Sequence, residues 1–355
     1  MIRLRQFSEY LCPPETPVRE VVGRINATSF LFQLIVDGSG RLLGTITDGD
    51  IRRGFLQGAS LDGPAVSCMQ RKPMVGRVGA ESENLQKLHM VNRSVAFLPL
   101  LDPHDVVREI WVDTEAPTDF VTALVMAGGQ GTRLGERTRT TPKPLLPVGD
   151  KPILAHILDR LEDAQIRQIY ISVHYLAEQI ERFVKARSSR AQVNLLYEQQ
   201  PLGTAGALSQ LPRPQRGPIL VLNSDVLTQT NLNALQAFHR RHGYDGTIAV
   251  ARYDLQIPYG IVRHNEDGLC SGIEEKPRIS HFVAAGIYCL SPEFTALVPP
   301  DKPMDMPELL NLGRGIGLRI GLFPIHEYWQ DIGCPADLAV ADEKHKKDRG
   351  DTGNP

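Results

Sequence analysis

Residues 120–134 decide the fold of the larger part of this chain, because they read as a strand followed by a glycine-rich turn, FVTALVMA and then GGQGTRL. The first eight residues are mostly apolar and have the length of a buried strand. Glycines let backbone amides approach a phosphate chain closely, and Arg133 adds a fixed positive charge. The spacing matches neither the P-loop nor the dinucleotide-binding GxGxxG motif. The stretch therefore predicts a strand and an anion-binding loop.

Helical and strand-like patterns alternate after this loop. They predict helices at 153–164, 177–186, 206–211 and 232–242, and strands at 168–173, 193–197 and 219–222. Such alternation favours an α/β fold, with a mostly parallel, Rossmann-like sheet flanked by helices. Ligands of these sheets bind beyond the carboxyl ends of the strands. Site residues are therefore expected in the segments that follow strands.

A second motif, TPKPLLPV, occupies residues 141–148. Its three prolines restrict the backbone and so hold Lys143 in one place. A fixed ammonium group can neutralise charge that develops on a transferring phosphate. Taken alone, Lys143 would read as a solvated surface lysine, so its significance depends on the glycine-rich loop that precedes it.

The two motifs together resemble the signature of the sugar-phosphate nucleotidyltransferases, in particular the mannose-1-phosphate guanylyltransferase-like members. The resemblance implies an enzyme that joins a nucleoside triphosphate to a sugar 1-phosphate and releases pyrophosphate. It gives catalytic roles to Arg133 and Lys143. The residues that it places against the nucleotide lie in the loop and in YEQQPLGTAG at 197–206, namely Ala127, Gly128, Gly129, Gly131, Thr132, Glu198, Gly203 and Thr204.

The same resemblance extends to a sugar pocket and a metal site. It assigns the sugar phosphate to glycines and charged residues in YGIV at 259–262, EEKP at 274–277 and AAGIY at 284–288, namely Gly260, Glu275, Lys276 and Gly286. The family usually has Asn where Ala285 stands, which leaves one sugar contact open. Asp225 ends the apolar run ILVLNSD, and Asp331 lies in WQDIG, whose Asp is the family's second metal ligand. Because Mg²⁺ prefers few carboxylates with phosphate oxygens and water, both residues are predicted to hold Mg²⁺.

A different pattern fills the N-terminal third. Residues 30–50 read as strand, turn, strand and helix start, and a weaker copy follows at 90–112, which makes an internal repeat. Over residues 7–118 this resembles a pair of cystathionine β-synthase (CBS) modules, an α+β domain that often binds adenine nucleotides such as AMP or ATP. Thr47 and Asp50 would then face the ribose and phosphate; alternatively they only cap the helix. The second copy has WVDTE at 111–115 where its own ligand motif is expected.

These patterns divide the chain into a CBS pair at 1–118, a nucleotidyltransferase domain at 119–345 and a flexible tail at 346–355, with the Pro-containing residues 115–119 as linker. The formal net charge of −2 argues against nucleic acid or an anionic membrane as the main partner. Residues 1–10 are charged and have no apolar core of signal-peptide length, no run has the length of a membrane span, and the five cysteines match no zinc or redox motif. A cytoplasmic protein that assembles from identical chains is expected.

The nucleotide is predicted from resemblance alone. The runs RLGERT at 133–138 and EQQPLGTAG at 198–206 are more similar to guanylyltransferases for mannose-like, heptose or amino sugars than to other members, which indicates GTP and a product used in surface glycan synthesis. UTP, CTP or dTTP remain open, as does a phosphocholine-type cytidylyltransferase. A nucleotide-sensing regulatory protein without activity is a further alternative, and the intact Arg133, Lys143, Asp225 and Asp331 argue against it.

Overall fold

The structure is a computed structural model that describes residues 1–90, 96–113, 122–215 and 217–350, with the side chains of 348–350 left out. The predicted linker at 115–119 lies outside the described residues. So do residues 120 and 121, the first two of the predicted strand. Within these ranges, none of the helices has both the length and the apolar character needed to cross a membrane.

The N-terminal region contains two small sheets and three α-helices in its described part. The strands are β1 (Ile2–Leu4), β2 (Leu11–Cys12), β3 (Phe32–Val36), β4 (Leu42–Thr47), β5 (Gly76–Arg77), β6 (Ala96–Leu101) and β7 (Val107–Asp113). The helices are α1 (Val18–Ala27), α2 (Asp48–Leu56) and α3 (Glu81–Met90), and short 3-10 turns occur at Ser8–Tyr10 and Ala65–Ser67. One sheet has the order β1-β7-β6-β5 and the other has the order β2-β3-β4.

The predicted repeat is visible in the two antiparallel hairpins, β3–β4 and β6–β7. Each hairpin turns on an aspartate whose carboxylate accepts backbone N–H bonds two and four residues ahead, Asp37 in the first and Asp102 in the second. This side-chain-to-backbone bonding favours a tight turn. The rings of Phe32 and Phe97 stack with centroids 3.9 Å apart, so the two copies share one core. Trp111 is buried within β7, at the place where the repeat would put a second ligand motif.

The larger region contains the remaining elements. Its strands are β8 (Thr122–Met126), β9 (Pro147–Val148), β10 (Lys151–Pro152), β11 (Gln168–Val173), β12 (Gln192–Tyr197), β13 (Ile219–Asn223), β14 (Val226–Thr228), β15 (Gly246–Gln256), β16 (Ile261–His264), β17 (Cys270–Glu274), β18 (Arg278–Leu290), β19 (Ile320–Pro324) and β20 (Trp329–Asp331). Its helices are α4 (Arg137–Thr140), α5 (Ile153–Asp163), α6 (Ala177–Ala186), α7 (Gly203–Gly206), α8 (Leu232–His242), α9 (Pro292–Ala296), α10 (Met306–Gly315) and α11 (Pro335–Gly350). Further 3-10 turns lie at Thr132–Leu134, Lys143–Leu145 and Ala207–Gln210.

A mixed sheet organises this region, with the strand order β12-β11-β8-β13-β18-β15-β19. β12, β11, β8 and β13 run parallel to one another, β18 is antiparallel to both of its neighbours, and β19 is parallel to β15. Apolar clusters cover both faces, one including α5 and α8 and the other including α9 and α10. The predicted α/β class with a mostly parallel sheet is therefore confirmed.

Two segments differ from the sequence-based expectation. A helix is predicted at 206–211, but the structure has the short α7 followed by a 3-10 turn. The reason is that residues 205 and 206 donate their backbone N–H groups to the carbonyl of Met304. This long-range contact fixes the backbone at the start of the predicted helix. At the other end α11 continues to Gly350, so the predicted tail at 346–355 begins as helix, where Lys346 pairs with Asp342 one turn earlier. Residues 351–355 lie outside the described residues.

The two regions are joined by a buried charge network centred on Arg52 of α2. Its guanidinium is fully buried and pairs with Asp48 on the same helix and with Glu327 of the larger region. It also lies over the ring of Phe323, 3.8 Å from the centroid, and donates to the carbonyl of Pro324. Burial disfavours the charged carboxylates, but the Arg52 charge outweighs it and holds the pKa of Asp48 and of Glu327 at about 2.

Replacing this arginine tests the network. A group whose pKa is depressed by folding contributes stability that is present above its unfolded pKa and is lost as the pH falls through its folded pKa. We therefore expect Arg52→Met to lower the free energy of unfolding by about 3–5 kcal/mol at pH 7, because Asp48 and Glu327 become buried charges without their cation. The gap between wild type and variant narrows as the pH falls toward 2. Urea unfolding followed by circular dichroism at several pH values measures this gap; a gap independent of pH would contradict the assignment.

Candidate active site

A cavity of about 310 Å³ opens beyond the carboxyl ends of β8 and β13. It lies where an α/β sheet is expected to bind its ligand. Ten of the residues predicted from sequence line it, namely Gly128, Gly129, Gly131, Thr132, Arg133, Lys143, Glu198, Gly203, Thr204 and Asp225. Ala127 is buried directly after β8, at the base of the glycine-rich loop. The loop, the proline-rich motif and the end of β13 thus meet in one place.

Two glycines of the loop are required by close contacts. At Gly128, a Cβ atom would lie 2.9 Å from the carboxylate oxygens of Glu198. Gly131 has a φ of 65°, and a Cβ there would lie 3.0 Å from the Cβ of Lys143. Side chains at these positions would push the loop away from its neighbours. The backbone of the loop therefore lines the cavity. The side chain of Arg133 is exposed and reaches Gly333, another lining residue.

Lys143 connects the proline-rich motif to the end of β13. Pro142 precedes it in extended conformation and a short 3-10 turn begins at Lys143 itself, so the backbone is fixed on both sides. The side chain is nearly buried, and its ammonium group donates to Asp225 Oδ2 over 2.5 Å. The predicted pinned lysine is thus placed beside the predicted metal ligand.

Asp225 and Asp331 come together through a separate two-stranded ribbon formed by β14 and β20. Asp331 lies opposite Val226, and the N–H of Ile332 donates to the carbonyl of Asp225 over 2.9 Å. Burial raises the pKa of Asp331, and the charge of Asp225 raises it further, while Lys143 and Arg133 oppose both effects. The two predicted ligands are therefore close enough to repel each other.

The residues present fit a cation that takes few ligands from protein. Asp225 Oδ1 is buried without a hydrogen-bond partner, although the other oxygen of the same carboxylate is paired. Across the described ranges, no cluster of three or more His, Cys, Asp or Glu side chains is arranged to hold a metal. A cation between Asp225 and Asp331 would take its other ligands from substrate phosphate and water, which is the coordination that Mg²⁺ prefers.

A second wall of the cavity, packed against the glycine-rich loop, is built from residues 198–204. Glu198 is buried, and its Oε2 accepts the backbone N–H of Leu202 over 2.9 Å. Gly203 has a φ of 74°, and a Cβ there would lie 2.7 Å from the carbonyl of Met304. The N–H of Thr204 donates to Asp305, and Thr204 Oγ1 accepts the N–H of the residue that follows Asp305. This segment is therefore held in place by the start of α10.

Some residues of the cavity were not found from sequence. Asn223 and Ser224 line it together with Asp225, and Ser172 lies at the end of β11. Their position directly after or at the end of predicted strands is the signal that could have found them. Asp305 supports the wall from a region without a recognisable motif, so sequence offers no comparable signal for it.

The predicted sugar-phosphate residues are divided between two places. Gly286 has a φ of 71°, and a Cβ there would lie 2.9 Å from the amide nitrogen of Asn223, so Gly286 packs behind a residue that lines the cavity and is not itself a lining residue. Gly260, Glu275 and Lys276 belong to the β16–β17 hairpin region and are not among the lining residues. Glu275 and Lys276 are exposed and lie 3.9 Å apart as an ion pair in the turn before β18. The structure does not bring these three to the cavity, and their role stays a prediction.

The predicted regulatory residues, Thr47 and Asp50, face each other. Asp50 Oδ2 accepts from the N–H and hydroxyl of Thr47, whose hydroxyl in turn accepts the N–H of Asp50, so the two form a capping box at the start of α2. Asp50 also pairs with Arg53. A cavity of about 90 Å³ lies beside Thr47, between α2 and α8. This geometry matches the helix-capping alternative, and adenine-nucleotide binding stays a prediction.

Comparison with known proteins gives matches for both regions of the chain. A family model described as nucleotidyl transferase matches residues 122–348, and a CBS-domain model matches residues 8–56. The chain is 37% identical over 223 residues to the mannose-1-phosphate guanylyltransferase catalytic subunit beta of Drosophila pseudoobscura pseudoobscura, covering 61% of this chain and 60% of the relative. It is 34% identical over 224 residues to the mannose-1-phosphate guanyltransferase of Schizosaccharomyces pombe, covering 61% of each. The chain thus spans about three fifths of these relatives.

Solved structures match the larger region as well. HddC from Yersinia pseudotuberculosis superposes with a TM-score of 0.51 and 26% identity over 64% of this chain and 100% of that protein, both alone and in a complex with GMP-PN. The glycine-rich loop, Lys143 and Asp225 line one cavity. Because a family model covers well over half of the sequence, the chain belongs to the nucleotidyl transferase family and carries a CBS domain in its N-terminal region.

Proposed function

We propose that this protein transfers GMP from GTP to a sugar 1-phosphate and releases pyrophosphate. The observation that carries the choice of nucleotide is the carboxylate of Glu198, buried against the glycine-rich loop in the wall of the cavity. The similarity to proteins named mannose-1-phosphate guanylyltransferases supports both the nucleotide and a mannose-like sugar. The product is an activated sugar, the donor that glycosyltransferases consume in glycan synthesis.

The chemistry of the Glu198 carboxylate explains this preference. An ionised carboxylate only accepts hydrogen bonds, and Oε2 already accepts one from Leu202 N. Guanine presents two neighbouring donors on its base-pairing edge, N1–H and the N2 amino group. Uracil and thymine place a single donor between two acceptors, and one acceptor would face the carboxylate. A buried carboxylate therefore favours guanine over uracil and thymine, because these two bases leave a polar group unpaired.

The transfer itself requires positioning and charge neutralisation more than covalent chemistry. A phosphate oxygen of the sugar 1-phosphate attacks the α-phosphorus of GTP in line. A new P–O bond forms while the bond to the pyrophosphate oxygen breaks, and pyrophosphate leaves. The amides of the glycine-rich loop and Arg133 hold the triphosphate. Lys143, fixed by its flanking prolines, neutralises charge that develops at the phosphorus.

The residues that would hold a divalent cation are Asp225 and Asp331. Nucleotidyltransferases of this family generally use a divalent metal, and Mg²⁺ is the ion we propose. When bound, it supplies positive charge to the phosphate oxygens. We assign the sugar 1-phosphate to Gly286 beside the cavity and to Gly260, Glu275 and Lys276 of the hairpin region, with Lys276 directing the phosphate.

The base assignment is tested by Glu198→Gln. Glutamine keeps an oxygen that can accept the Leu202 N–H, but its amide offers one donor and one acceptor to the base. We expect kcat/KM for GTP to fall about 10- to 100-fold, the cost of one charged hydrogen bond, while use of UTP or dTTP rises relative to GTP. Pyrophosphate release from GTP, UTP, CTP and dTTP, each with mannose 1-phosphate, measures both effects. An unchanged preference for GTP would show that Glu198 does not read the base.

The catalytic charges are tested by Asp225→Asn and Lys143→Met. We expect each variant to lower metal-dependent pyrophosphate release by at least about 10²-fold, because the first removes a carboxylate that would hold the cation and the second removes the ammonium group that neutralises the reacting phosphates. Exposed residues of the same types are matched controls, Asp163→Asn and Lys185→Met, which lose only surface ion pairs. If Asp225→Asn turned over like its control, the metal assignment would be wrong.

A further inference from the structure

The ribbon of β14 and β20 carries the two predicted metal ligands at one end, and the described residues form it as a sheet separate from the seven-stranded one. Asp225 precedes β14 and Asp331 ends β20. At the other end, the carbonyl of Tyr328 accepts from Gln229 N and Thr228 Oγ1. The large sheet does not include the ribbon, so the position of the ribbon depends on side-chain contacts, among them the bond from Trp329 Nε1 to the carbonyl of Ala285 in β18 over 2.8 Å.

One such contact is made by Glu327, just before β20. Its Oε1 accepts the N–H of Asn231, in the segment that leaves β14, over 3.1 Å. Its Oε2 accepts the N–H of its neighbour His326. A single carboxylate therefore ties together the chain that leaves one strand of the ribbon and the chain that enters the other. The direction in which this carboxylate points affects both strands.

Arg52 of the N-terminal region fixes that direction. Nη2 donates to Glu327 Oε1 over 2.8 Å and Nη1 donates to Oε2 over 3.2 Å, a bidentate pair. Nε and Nη2 hold Asp48, and Nη1 also reaches the carbonyl of Pro324, so all five N–H groups have acceptors. A planar guanidinium satisfied in this way has one orientation. The ribbon is thus braced by a side chain from outside the nucleotidyl transferase domain.

We propose that Arg52 is a positioning residue for the metal site. By holding Glu327 it keeps the β14–β20 ribbon, and with it the separation of Asp225 and Asp331, in the geometry that a divalent cation requires. The N-terminal region is then a structural part of the active site. The inference rests on the proposed function for its metal, but the brace itself can be measured without any metal.

Arg52→Lys tests the brace with charge retained. An ammonium group has three donors and lacks the fork, so it cannot serve Asp48, Glu327 and Pro324 in the same plane. Partners that orient metal ligands typically change metal affinity 10- to 100-fold when replaced. We expect the Mg²⁺ concentration for half-maximal pyrophosphate release to rise about tenfold. In the metal-free protein, amide hydrogen exchange at 226–229 and 328–332 should accelerate by a similar factor, with β8 and β13 unchanged. Glu327→Gln should also raise the Mg²⁺ requirement and accelerate amide exchange in the ribbon.

A matched control separates positioning from stability. Ile25 is buried in the N-terminal core on α1, and Ile25→Ala destabilises that core without altering the contacts of Arg52. It should lower the unfolding temperature and leave both readouts at wild-type values. If Arg52→Lys and Glu327→Gln behaved like this control, the arginine would be structural only and the proposal would fail. If wild-type protein released no pyrophosphate at any Mg²⁺ concentration, the proposed function would fail, and hydrogen exchange would still decide whether Arg52 braces the ribbon.

Discussion

The parallel pairing of β8 with β13 is the constraint on which the site depends. Met126 lies opposite Asn223 in this pairing, and the N–H of Ser224 donates to the carbonyl of Met126. Both strands therefore end at the same level of the sheet. The glycine-rich loop leaves one strand where Asp225 leaves the other, and Lys143 bonds to Asp225 across the gap. The register therefore brings the loop amides and the Asp225 carboxylate to one place, where the ammonium group of Lys143 meets them.

The position of the second carboxylate, Asp331, depends on a two-stranded ribbon that is smaller than the main sheet. Asp331 is positioned by the small ribbon, which Trp329 bonds to β18 of the large sheet and which Glu327 holds together with Arg52. A buried bidentate pair has a steep dependence on geometry, because a small displacement leaves charged groups unpaired. Asp48, which shares the guanidinium, begins the helix beside the small cavity next to Thr47. A displacement of α2 would therefore be transmitted to the ribbon through the pair of Arg52 and Glu327.

Much of this architecture could be predicted from the sequence. The strand at 168–173 and the helices at 177–186 and 232–242 have clear periodicity, and the structure reproduces their bounds. Residues within short motifs that follow strands were also found, because a parallel sheet collects such segments at one edge. The Arg52–Glu327 pair joins residues far apart in the chain, and neither lies in a motif, so no local pattern indicates it.

The charges of the site suggest why its parts act together. Asp225 is neutralised by Lys143, whereas the pKa of Asp331 is raised by burial and then by Asp225. Asp331 therefore holds its proton more readily than an ordinary aspartate does. A cation placed between the two carboxylates reverses that balance, because it favours the ionised form of Asp331. A bound cation would therefore oppose the upward shift of this pKa. Both the shift and the proposed cation site depend on the distance between Asp331 and Asp225, which connects the electrostatics of the site to the ribbon that sets its geometry.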